Sequence, residues 1–162
     1  MTNEVGADGA LVTRAELGGL PGAAVDPFKL AAVFHKSGLF KDIRDEAQAI
    51  VKIVYGAELG LAPMQAMLGV YVVDGKPTLA AATIATLIKR SGRYTFRVTA
   101  HDETRCEIAF YERAAGGWEQ AGVSAFSLAD AQAAGLAGKG PWKQYPRNML
   151  WARALTNGAR WY

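Results

Sequence analysis

RYTFRVTAHDETRCEIAFYERAAGGWEQAGVSAF, Arg93 to Phe126, is the stretch on which the fold turns. Its apolar residues recur every second position. Tyr94, Phe96 and Val98 fall on one face, and Arg93, Arg97 and Thr99 on the other. After a turn at His101–Thr104, Cys106, Ile108 and Phe110 alternate with Arg105, Glu107 and Tyr111, and a third strand is expected from about Trp118 to Phe126. A period of two with one apolar side describes strands half-buried in a sheet. Three such strands joined by short turns predict an antiparallel meander with one polar face and one face covered by helices, hence an α+β fold.

Upstream, Ala81–Arg90 predicts a helix burying Ile84, Leu87 and Ile88, with Lys89 and Arg90 suited to the negative end of its dipole. Before it, GVYVVDGKPTLA (Gly69–Ala80) predicts a β-hairpin turning at Asp74-Gly75, a pair that tolerates positive φ, with Lys76 at its tip. Pro77 cannot donate to a strand ladder and marks an edge. Ile43, Ala47, Ile50, Val51 and Val54 form a helical stripe that Gly60 and Pro63 terminate near Leu59. Asp26-Pro27 starts an earlier helix whose apolar side is Phe28, Ala31, Ala32 and Phe34, ended by Gly38. Residues 1–25, rich in Gly and Ala, are expected to form a flexible arm with at most a short helix at Leu11–Leu17, ahead of one domain over 26–162.

Downstream, Ser127 and Asp130 have the spacing of a capping box, so a short helix should run to about Ala134. A loop over Gly135–Gly140 leads into GKGPWKQYPRNMLWARALTNGARWY, Gly138–Tyr162. Pro146 suits the first turn of a helix, where its missing N–H has no partner to lose. Along that helix Arg153, Asn157 and Arg160 share a stripe, and Leu150, Trp151, Ala154 and Leu155 spread over another. The polar stripe is either a phosphate-binding surface or an ordinary solvated face.

Net charge is only +3, but Lys139–Tyr162 contains five Lys/Arg and no Asp/Glu, an asymmetry that suits a polyanion. Cys106 is the only cysteine, so no intrachain disulfide forms and a reducing, cytoplasmic compartment is expected. No apolar run reaches the roughly 20 residues of a membrane span. The Gly75-Lys76 and Gly138-Lys139 pairs lack the following Ser/Thr of a phosphate loop. The acidic groups at Asp42–Glu46 and Asp102-Glu103 read as a helix start and a turn, and His35 and His101 lack companion ligands. These absences favour a binding protein over an enzyme, with no cofactor and no metal.

The helix followed by GAELGLAPMQAMLGVYVV and DGKPTL, the helix ending KRSG, the meander, and GPWKQYPRNMLWARAL together resemble the RecT/Beta family of phage single-strand annealing proteins. The resemblance covers about Pro27–Tyr162. It implies ATP-independent binding of single-stranded DNA and its annealing to a complementary strand in homologous recombination, by a ring or helical homo-oligomer. It also implies a phage exonuclease and a host single-strand-binding protein as partners, with annealed duplex as product. Matching the motif puts Arg147, Arg153 and Arg160 in the DNA groove. Trp151 and Ala152 stand where members often carry further cations, and Tyr145 where others have His, which shifts weight to Lys143, Arg93, Arg97 and Lys76. Arg93 and Arg97 either contact DNA or pair with Glu107. Trp142 and Tyr145 either stack on bases or pack in the core. Members usually continue beyond this block, so the sequence has the look of a truncated form. A second reading is a non-enzymatic assembly module whose basic helix docks an acidic protein, and a third, weaker on the carboxylates, is a metal-dependent nuclease.

Overall fold

The computed structural model describes residues 26–73 and 75–162. The expected arm over residues 1–25, its helix at Leu11–Leu17, and Asp74 of the hairpin turn lie outside the described residues. The fold is α+β, with seven helices among the described residues and two antiparallel sheets, one of two strands and one of three. Two units are present, one ending at Thr78 and one spanning Leu79–Tyr162.

In the first unit, helix α1 (Pro27–Lys36) begins where the Asp26 carboxylate accepts the Phe28 N–H at 2.9 Å. Ala31 and Phe34 turn inward, while Phe28, expected on the same side, is 64% exposed. Helix α2 (Glu46–Glu58) is capped by Asp45, whose carboxylate accepts from Gln48 N–H at 2.8 Å, so Ile43 precedes the helix instead of joining its stripe. The buried face is Ala49, Lys52, Ile53 and Gly56, and Val51 and Val54, expected inside, stand about half exposed. A hydrophobicity count misses this face because two of its members are a lysine and a glycine. Gly56 lies so close to Ala66 that a side chain there would overlap it. A short helix not expected from the sequence, α3 (Pro63–Gly69), follows, with Gln65 Oε1 accepting the Ala62 N–H at 3.3 Å. It contributes Met67 to a core of Ala31, Phe34, Ile43, Ala49 and Ile53. Strands β1 (Val70–Val73) and β2 (Lys76–Leu79) form the expected hairpin, with Gly75 at φ 76°.

Lys52 is fully buried, its Nζ donating to Asp42 Oδ2 at 2.6 Å and lying 5.6 Å from the Tyr71 ring centre. A buried charge that loses its partner costs more than a pair removed at its source. Asp42→Ala should therefore destabilise the first unit by about 2 kcal/mol, a discount on the fully buried case because Asp42 reaches water. Lys52→Met should cost less, and urea denaturation of both variants checks the order.

In the second unit, helix α4 (Ala81–Arg90) precedes strands β3 (Tyr94–His101), β4 (Arg105–Ala114) and β5 (Gly117–Ser127), ordered β3-β4-β5. Phe96 pairs with Phe110, Ile108 with Ser124 and Cys106 with Phe126, which gathers the apolar alternates on one face as the period of two predicts. Register shifts leave Thr99 and Ala121 as extra residues. Helices α5 (Leu128–Ala133), α6 (Gly140–Gln144) and α7 (Pro146–Trp161) follow, and the capping box forms, with Ser127 and Asp130 exchanging hydrogen bonds.

α4 packs over β3, and α7 packs over β4 and β5 with α4 beside it. The inward side of α4 is Ala81, Ala85 and Ile88; Ile84 and Leu87, expected there, are not part of this packing. Small alanines let the two helices share one narrow face of a three-stranded sheet. Leu150, Ala154 and Leu155 of α7 are fully buried on Cys106, Ile108 and Phe110. Gly158 meets the Phe110 ring with no room for a Cβ. Ala at a helical Gly ordinarily gains about 1 kcal/mol of propensity. Here overpacking of about 1–3 kcal/mol opposes it, so Gly158→Ala should lower the thermal midpoint, and an increase would show that α7 stands farther from the sheet.

Candidate nucleic-acid interface

The basic C-terminal segment is built on an aromatic anchor. Trp142 of α6 is 4% exposed and its ring centre lies 6.1 Å from that of Phe126. It packs in the core, the second of the two roles its sequence position allows. Tyr145, at the break between α6 and α7, is 60% exposed. Pro146 then opens α7 as its sequence predicts.

The three arginines expected to share a groove separate into two kinds. Arg147 Nη2 donates to the His101 carbonyl at 3.2 Å, and His101 Nε2 lies 3.0 Å from the Arg147 carbonyl. A carbonyl only accepts, so Nε2 carries a hydrogen. This reciprocal pair ties the first turn of α7 to the end of β3. At about 100° per residue, Arg147 stands about 120° from Arg153 and about 140° from Arg160 around the helix. Arg153 is half-buried, Arg160 exposed, and Asn157 lies between them. Neither Arg153 nor Arg160 makes an ion pair or side-chain hydrogen bond among the described residues. Arg147 gives one guanidinium donor to the scaffold while its side chain stays exposed, and Arg153 and Arg160 have no donor so engaged among the described residues.

Other expected cations divide in the same way. Arg93 is paired with Glu112 at 2.8 Å, and this exposed carboxylate, not Glu107, holds its pKa above the ordinary arginine value. Glu107 engages Arg105 and the Thr99 hydroxyl instead. Arg97 lies on the face of the sheet opposite the core, opposite Ala109 in register, exposed and with no side-chain hydrogen bond or ion pair among the described residues. Lys143 is exposed on α6, and Lys76 is exposed on β2 in the first unit. Lys89 Nζ sits 5.0 Å from the Phe96 ring centre, in keeping with a packing role.

Two exposed aromatic residues escaped the motif reading. Trp161 is 61% exposed and continues the spacing of Arg153 and Asn157 as i, i+4, i+8. That spacing is legible in the sequence, but the exposure of the indole is not. Trp118 is 46% exposed, with the Arg113 guanidinium 5.5 Å from its ring centre across the β4–β5 pair. Cys106 is buried and desolvation pushes its thiol up to about 11, which leaves it inert as a nucleophile at neutral pH. No group of three or more potential metal ligands occurs among the described residues. No helix among the described residues is long and apolar enough to cross a membrane.

The turn that positions Arg147 is held by Asp102. Its carboxylate accepts from the Thr104 hydroxyl and N–H, both at 2.7 Å, and from the Arg105 N–H at 2.9 Å. The Thr104 hydroxyl, then these backbone donors and the Arg147 charge, hold Asp102 below the ordinary carboxylate value, and the Ser127 cap does the same for Asp130. A carboxylate whose folded pKa is depressed contributes stability above its unfolded pKa of about 4 and loses it as pH falls through the folded value. The urea midpoint should therefore be level from neutral pH down to about 5 and drop below about 4. Asp102→Asn combined with Asp130→Asn should flatten that drop, as urea titrations across the range would show.

No protein-family model matches the chain, and no curated protein matches its sequence.

Proposed function

We propose that this chain binds single-stranded DNA through its phosphates and anneals complementary strands without ATP, as an oligomer serving homologous recombination in the cytoplasm. The observation carrying this reading is the stripe of Arg153, Asn157 and Arg160 on α7. Its arginines have no acidic partner among the described residues, and it lies in a run of five cations with no carboxylate. Cations on phosphate oxygens give affinity without sequence preference, because they release condensed counterions and leave base edges untouched. An annealing protein needs that division, since the two strands must themselves supply the specificity. The resemblance of the surrounding motifs to RecT/Beta proteins points the same way, and no catalytic role is assigned to any residue.

Lys143, exposed on α6, adds a further cation to the same basic run, while Arg97 on the opposite sheet face and Lys76 on the hairpin of the first unit are cations for separate contacts with a strand or annealed duplex. The β1–β2 hairpin is the natural subunit contact: Tyr71, Val72 and Val73 are each about half exposed, and Pro77 on β2 withholds one backbone donor. Repeating weak phosphate contacts along an assembly raises the affinity for a long strand. An exonuclease that makes single strands and a host protein that coats them are partners consistent with this role.

Arg153→Ala/Arg160→Ala should weaken binding of a labelled oligonucleotide at least tenfold at low salt. The dependence of log K on log salt should flatten by about 1.4, from about 0.7 per phosphate contact on a single strand. Arg147→Ala should instead act mainly on stability. Annealing of complementary oligonucleotides, followed with particle size in the same sample, tests the rest. Unchanged affinity and slope in the double variant would remove α7 from the interface, and binding of an acidic protein in preference to DNA would favour an assembly module.

A further inference from the structure

We propose that Trp161 is a base-stacking platform for single-stranded nucleic acid, placed at the end of the Arg153–Asn157 stripe so that one nucleotide is held by phosphate and base together. The inference rests on the DNA-binding reading of that stripe. Successive members of the i, i+4, i+8 series are displaced by about 40° around α7, so Arg153, Asn157 and Trp161 form a continuous line. Arg160 lies about 20° from Arg153 and about 100° from Trp161 around the helix, so the cations flank the start of this line and the indole ends it. The indole face of Trp161 is 61% open to solvent, and Arg153 and Arg160 are carried on the same helix.

The indole is also supported from behind. Trp161 meets Tyr162 edge to face, with centroids 6.4 Å apart and planes at 89°. Tyr162 is fixed in turn: its hydroxyl donates to the Val123 carbonyl at 3.4 Å, and its ring lies 5.9 Å from Phe110 and against Gly122. A ring fixed on one side and open on the other loses little entropy when a base is laid on it. Arg160 and Arg153 supply the phosphate contact from the flank. Stacking of this kind needs an unpaired base, so Trp161 would distinguish single strands from duplex, which the arginines alone do not.

The test compares the full chain with Trp161→Ala, Trp161→Phe and the Arg153→Ala/Arg160→Ala pair, using labelled oligothymidylate and a duplex of the same length across a salt series. Trp161→Ala should bind oligothymidylate between about fivefold and about a hundredfold more weakly, with its salt slope and duplex affinity unchanged. Trp161→Phe should recover most of the loss, because a phenyl face still stacks. Tryptophan emission of the wild-type chain should be quenched by oligothymidylate, and that quenching should be absent in Trp161→Phe. Equal weakening toward single strand and duplex would overturn the assignment and mark Trp161 as a support for α7. Full affinity in Trp161→Ala, with the arginine pair still required, would overturn it and leave the phosphate reading intact. Loss of salt-dependent DNA binding in the wild-type chain itself, or displacement of oligothymidylate by polyglutamate at equal charge, would overturn both.

Discussion

The second unit depends on how closely α7 approaches its sheet. Leu150, Ala154 and Leu155 fill the space above Cys106, Ile108 and Phe110, and Gly158 admits the Phe110 ring where any side chain would collide. Close packing of this sort is sensitive to a single methylene. It also makes the helix rigid against the sheet, so that every residue on its outer flank is presented at a fixed position. Trp142 seals the same layer from α6 by lying on Phe126, and Ala81, Ala85, Ala154 and Ala159 let α4 and α7 cover a face only three strands wide.

That rigidity sorts the arginines. The pair of hydrogen bonds between Arg147 and His101 fixes the N-terminal turn of α7 on the end of β3, while Arg153 and Arg160 remain on the outer flank without acidic partners among the described residues. One residue type thus serves two ends: a guanidinium spent on a carbonyl positions the helix, and guanidinia left in water are available to phosphate. Asp102 belongs to the first group, since its turn orients the carbonyl that Arg147 grips. The first unit uses charge in a third way. Lys52 lies wholly inside it, and its single carboxylate partner Asp42 links the segment before α2 to the helix, with the Tyr71 ring of the hairpin nearby.

Much of this organisation was legible in the residues. The alternation over Arg93–Phe126, the β1–β2 hairpin, Pro at helix starts and the Ser127–Asp130 box are local signals, and each is realised. The face of α2 was not legible, because Lys52 and Gly56 occupy its interior while Val51 and Val54 stand outside. Nor were the inward positions of α4, where Ala81 and Ala85 replace the larger Ile84 and Leu87. In both helices the partner's shape, absent from any window of sequence, outweighed hydrophobicity. At the candidate interface the basic run was visible, but the roles of Trp142, Arg147 and Arg93 were not, since each is decided by a residue distant in the chain.

The sequence by itself determined the strands and the longer helices, though not the short α3 and α6, and concentrated positive charge at Lys139–Tyr162, because periodicity, turn chemistry and composition act within a few residues. Only the tertiary structure decided which side chains remain available. Trp142 is packed in the core, Arg147 donates to the His101 carbonyl and Arg93 pairs with Glu112, while Arg153 and Arg160 have no such partner among the described residues and Trp161 is exposed at the end of α7. The physical reason is that hydrogen bonding, ion pairing and burial are settled by contacts across the fold, and a polar or aromatic group already satisfied there has little left to offer a ligand.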